Sequence, residues 1–78
     1  MIVVLGGSYA HFPKKVIVSI YMNFEINILI VEDLLTTRLF LRRTLKKLGY
    51  FNVVLAEDGR AALEELKRKS FDLIISDW

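Results

Sequence analysis

The succession of apolar and polar segments from Ile26 onward predicts an α/β fold, a doubly wound parallel sheet built in the order β-α-β-α-β. Two β-branched runs, Ile28-Leu-Ile-Val and Leu73-Ile-Ile-Ser, are too short for helices and apolar on both sides, as a strand covered on two faces requires. Two segments with helical spacing alternate with the strands, and short connections join strand to helix and helix to strand. That alternation selects parallel strands with right-handed crossovers.

Ile26 to Val31 reads as the first and central strand. Leu34 to Leu48 reads as an amphipathic helix, with Leu41, Leu45 and Leu48 on one side, Arg38, Arg42 and Lys46 on another, and Gly49 where a C-cap glycine belongs. Asn52 to Ala56 is the second strand, and Asp58-Gly59 reads as a turn. Arg60 to Lys69 is the second helix, with Ala62, Leu63 and Leu66 expected inward, and Phe71 to Ser76 is the third strand. Residues 1–21 stand outside this alternation. Ile2 to Leu5 and Val16 to Tyr21 are strand-like, separated by a loop holding Gly6, Gly7, Ser8 and Pro13; they could pair as a hairpin, add to a sheet edge or stay loosely ordered. Met22 is a plausible true start, which divides the chain into an N-terminal extension, 1–21, expected to be dispensable for folding, and a domain, 22–78.

With 78 residues the chain holds one small domain near the edge of independent stability. A hydrophobic content of 54% with one proline and four glycines argues against disorder. The absence of cysteine excludes a disulfide framework and thiolate metal sites and fits the cytoplasm. Eleven basic residues nearly balance nine acidic ones, so the net charge of +2 does not by itself imply nucleic acid. No window approaches the roughly 18 apolar residues of a membrane span, and Lys14 and Lys15 interrupt any signal-peptide reading. A cytosolic location without membrane attachment is expected.

Glu32 and Asp33 end one apolar run and Asp77 ends another. In the strand order 2-1-3 the first and third strands are neighbours, their carboxyl ends meet at one edge, and the three acids share a crevice. Three such carboxylates repel one another, so the crevice needs a proton or a cation. Magnesium suits hard oxygen ligands held partly through water, and Asp77 can then act as nucleophile toward a phosphoryl group.

The segment Ile28-Leu-Ile-Val-Glu-Asp, the helix ending Lys47-Leu-Gly-Tyr, the stretch Ala56-Glu-Asp-Gly-Arg-Ala-Ala-Leu and Phe71-Asp-Leu-Ile-Ile-Ser-Asp-Trp together resemble a response-regulator receiver domain of two-component signalling. The resemblance covers residues 24–78, and the separation of Asp33 from Asp77 is the spacing that family uses. It implies the N-terminal half of a flavodoxin-like fold, cut off after the phospho-acceptor, and a signalling switch in place of an enzyme. Asp77 would accept phosphate from a histidine kinase or phosphotransfer protein, and Glu32, Asp33 and Asp77 would ligate magnesium. Trp78 after the acceptor resembles chemotaxis-type receivers. The family's further parts have no counterpart after Trp78: a carbonyl ligand two residues past the acceptor, a hydroxyl residue ending strand 4, a lysine ending strand 5, and the last two helices. Magnesium binding is therefore expected to be weak, roughly millimolar or poorer.

Two other readings compete. An inert or interaction-only fragment would self-associate through an exposed strand at 71–76. A nucleic-acid or membrane-surface binder would use the basic helix face of Arg38, Arg42, Arg43, Lys46 and Lys47, although a solvated face is the ordinary role of such a row, and the family resemblance adds that the first helix commonly helps dock the kinase. Gly6-Gly7-Ser8 lacks a phosphate-loop pattern, and His11, alone in sequence, is expected in a loop.

Overall fold

A run of four apolar residues, Ile28–Val31, forms the middle of the parallel part of the sheet because it can be buried from both sides. In the computed structural model, which describes residues 2–5, 8–11 and 23–76, the strands are β1 (Ile2–Leu5), β2 (Ser8–His11), β3 (Ile28–Val31), β4 (Val53–Ala56) and β5 (Leu73–Ser76). Two helices, α1 (Leu35–Lys47) and α2 (Gly59–Arg68), complete the order. Strands β4, β3 and β5 are parallel neighbours, with Val31 in register with Ala56 on one side and Ser76 on the other. The expected 2-1-3 order of the alternation is thus present.

Alternation along the strands sorts the core into two layers. Ile28 and Ile30 of β3 and Leu73 and Ile75 of β5 pack with Ile26, Leu45 and Tyr50 on the α1 side. Leu29 packs with Ala56 and Ala62 on the α2 side. Ile28, Leu29, Ile30 and Ile75 are fully buried, each stabilising the fold by about 1.5–3 kcal/mol relative to an exposed side chain. The amino-terminal edge of the sheet is stitched by polar groups: the Asn27 amide donates to Asp72 Oδ2 (2.9 Å), and Asn52 Nδ2 donates to the Glu25 carbonyl (3.1 Å).

Helix α1 stops at Gly49, whose φ of +102° is open to glycine and costly for other residues. The Tyr50 amide reaches the Leu45 carbonyl (2.9 Å) and the Gly49 amide the Lys46 carbonyl (3.1 Å), the paired bonds of a Schellman motif. A Cβ on Gly49 would also lie 3.1 Å from the Phe24 ring, which packs tilted against Tyr50 with centroids 5.0 Å apart. Helix α2 starts from Asp58, whose Oδ1 accepts from the Ala61 amide (2.8 Å). Asp58, expected as a turn residue, is the helix N-cap, and Gly59 is the first helical position.

Several expectations are corrected. Leu63 and Leu66 are 61% and 42% exposed, because the face of α2 turned to β3 and β4 is the one that carries the small, buried Ala62. Leu48, which shares a side of the expected helix with the buried Leu45, is likewise exposed, at the end of α1. Residues 71–76 do not form an open edge: β1 pairs antiparallel with β5, from Ile2 opposite Ser76 to Leu5 opposite Leu73. Self-association through that strand therefore has no free backbone edge to use, and β1 belongs to the sheet. Strand β2 pairs with β1, Leu5 opposite Ser8, so Ser8 and His11 lie in a strand and not in a loop. The sheet order is β2-β1-β5-β3-β4. The strand-like run Val16 to Tyr21 lies outside the described residues.

Candidate functional site

Because β3, β4 and β5 run the same way in register, the residues following Val31, Ala56 and Ser76 in sequence are Glu32, Glu57 and Asp77. A crevice of about 220 Å³ opens at that edge, lined by Val31, Glu32, Asp33, Glu57, Asp58, Gly59 and Ser76. Four carboxylates and no cation are among its lining residues. Glu32 and Asp33 both border this hollow. Asp77 lies outside the described residues.

Glu32 is held most firmly. Its amide continues the β3 to β4 ladder by donating to the Ala56 carbonyl (3.0 Å). Its Oε1 accepts from the Leu34 amide (3.1 Å), and its carbonyl accepts from Arg38 Nη1 (2.8 Å). Leu34 is the N-cap of α1 and offers no side-chain cap, so the Glu32 carboxylate satisfies an amide that the helix start leaves open, at the end where a negative charge is favoured. The other oxygen, Oε2, is sealed from solvent and has no hydrogen-bond partner among the described residues, on a side chain only 5% exposed. A buried carboxylate oxygen left without a partner is costly, and a cation or a donor is what would relieve it. Asp33, beside it, is exposed. Among the described residues no three carboxylates or histidines are close enough together to hold a metal ion.

Sequence reasoning missed Glu57, Asp58 and Ser76 as lining residues. The signal for Glu57 was available, since it follows the second parallel strand as Glu32 follows the first. Arg38 was grouped with the other cations of α1, yet it points to the acidic turn. A second hollow of about 440 Å³ is lined by Arg42, Lys46, Tyr50, Phe51 and Val53, and among the described residues no ion pair involves a cation of α1. The described ion pairs, Lys67 with Glu64 and Arg68 with Glu65, are on α2. Among the described residues no helix is long and apolar enough to cross a membrane.

A parallel β-α-β-α-β sheet with paired acids at its carboxyl edge invites comparison with known families. Residues 28–78 match the family profile described as the response regulator receiver domain. The chain belongs to that family. Among curated proteins, this receiver homologue is 40% identical over 57 residues to the chemotaxis protein CheY-3 of Vibrio cholerae serotype O1, a match covering 73% of this chain and 44% of that protein. It is 41% identical over 51 residues to the chemotaxis protein CheY of Pseudomonas aeruginosa, covering 65% of this chain and 41% of the relative. The receiver segment thus spans less than half the length of the curated relatives it matches. Membership places it among signalling domains and not among enzymes in the usual sense.

Proposed function

We propose that this chain is a phospho-accepting receiver segment of a two-component relay, with residues 22–78 as the receiver unit, acting in the cytoplasm. Asp77 is the acceptor, and a histidine kinase or a phosphotransfer protein is the donor. In the transfer a carboxylate oxygen of Asp77 attacks phosphorus, a P–O bond forms, the P–N bond of a phosphohistidine breaks, and the imidazole nitrogen keeps the electron pair. Glu32 and Asp33 would hold a magnesium ion together with Asp77. Bound there, such an ion neutralises charge on the transferring oxygens.

The observation that carries this reading is the register of β3 with β5, Val31 opposite Ser76, because the next residues in sequence are Glu32 and Asp77. The orphaned Glu32 Oε2 supports it from the side of the donor set: a hard, anionic oxygen on a residue that borders a crevice with three further acids suits a hard cation. The residues here do different work. Glu32 is fixed by backbone bonds and presents a preset oxygen, whereas the exposed Asp33 is free to turn toward a ligand or a water. The test is incubation with acetyl phosphate and magnesium, followed by intact-mass spectrometry. One added phosphoryl group, lost in Asp77→Asn, is the expected result. An unchanged mass in the unsubstituted chain, or a modification that survives Asp77→Asn, would exclude Asp77 as the acceptor.

A further inference from the structure

Five cations lie on α1, Arg38, Arg42, Arg43, Lys46 and Lys47, and only Arg38 faces the acidic turn. It is half-buried in the first turn of the helix, and its Nη1 donates to the Glu32 carbonyl at 2.8 Å. Arg38 also lines a neighbouring hollow with Leu35, Leu55, Ala56, Glu57 and Ala61, and Glu57 borders the crevice as well. Within one residue of chain Glu32 is therefore tied at three points: its amide to β4, its Oε1 to the Leu34 amide, and its carbonyl to Arg38. The first two bonds leave the peptide between Glu32 and Asp33 able to tilt. The third ties that peptide to α1.

We infer that Arg38 is a positioning residue of the acidic crevice: by holding the Glu32 carbonyl it fixes the peptide that joins Glu32 to Asp33, the backbone from which both side chains reach toward a divalent cation. The inference rests on the cation-binding reading above and goes beyond it, because Arg38 touches neither the cation nor the transferred group. Its physical content is a sign. A guanidinium near a cation site repels the cation, so if Arg38 acted only as a charge, removing it would tighten binding. If it acts as a clamp, removing it frees the turn and weakens binding despite the lost repulsion, as the loss of a supporting hydrogen bond does in metal sites generally.

The experiment compares the full chain with Arg38→Met and Arg38→Lys. Magnesium is titrated at constant ionic strength, followed by the fluorescence of the single tryptophan. Amide hydrogen exchange without metal is read at Asp33 and Leu34, with the amides of β3 as the internal reference for folding. Expected are magnesium binding about tenfold weaker in Arg38→Met and exchange at Leu34 about tenfold faster relative to β3. Lysine keeps the charge and one donor, and is expected to restore both to within about threefold of the unsubstituted chain. Equal or tighter magnesium binding in Arg38→Met, or failure of lysine to restore what methionine loses, overturns the clamp. If the unsubstituted chain gives no magnesium response, the cation reading fails and exchange alone decides: acceleration in methionine and not in lysine keeps Arg38 as the tether of the acidic turn, and no acceleration removes that role too.

Discussion

Glu32 does two opposed things. Its Oε1 completes the start of α1 and its Oε2 is buried without a partner among the described residues, so one carboxylate both supports the helix and stores an unfavourable contact. Such a conflict is expected at a site kept for a ligand. Glu32→Gln keeps an oxygen for the Leu34 amide and removes the buried charge. In metal-free buffer this variant is expected to be more stable by about 1 kcal/mol in urea denaturation. With millimolar magnesium the difference should shrink or reverse, since a ligand that binds only the folded state stabilises it by mass action. A variant less stable than the parent without metal would show that Oε2 is already satisfied. The acids themselves were readable, because strands that end in carboxylates are visible in the chain. The tether from Arg38 was not, since a bond to a main-chain carbonyl leaves no trace in residue type.

At the scale of elements, agreement is closest where local chemistry and burial coincide. Ile28–Val31 and Leu73–Ser76 are apolar on both faces and are strands with cores on both sides. Gly49 marks the end of α1 because the residue after its cap needs positive φ. Disagreement appears where spacing alone was used: periodicity shows that α2 has an apolar arc, but how the helix is rotated is settled by how closely it approaches the sheet, and Ala62 allows the closest approach. The amino-terminal strands are the larger departure. Two residues, Gly6 and Gly7, separate Ile2–Leu5 from Ser8–His11 in sequence, a hairpin spacing, whereas Ser8 stands in the expected loop. Pairing of β1 with β5 changes what the extension is expected to do. Deleting residues 1–21 should leave β5 as an open apolar edge, and the shortened chain should associate as its concentration rises, seen by light scattering after size exclusion. A deletion that stays monomeric and keeps the same urea midpoint would show that β1 is not needed.

At the scale of the whole molecule, stability rests on two core layers that meet at β3. A chain of 78 residues has a net stability on the order of 5 kcal/mol, and β3 contributes fully buried residues to both layers. Ile30→Ala, at a fully buried position between β4 and β5, is expected to cost about 3–4 kcal/mol and to leave much of the protein unfolded at room temperature. Leu63→Ser, at an exposed position of similar hydrophobicity, should change stability by less than about 0.5 kcal/mol. Circular dichroism of the two variants in urea separates them, and equal effects would contradict the two-layer core. The family match and the acidic edge depend on this strand as well, since β3 carries Glu32 at its carboxyl end. By itself the sequence determined the alternation of strands and helices, because hydrophobic period and short connections are local properties of the chain, and the fold class that this alternation selects carried the 2-1-3 order. The tertiary structure alone decided that β1 covers β5 and that Leu63 and Leu66 face outward. Each of these depends on which surfaces meet in space, and residues distant in the chain do not announce that choice.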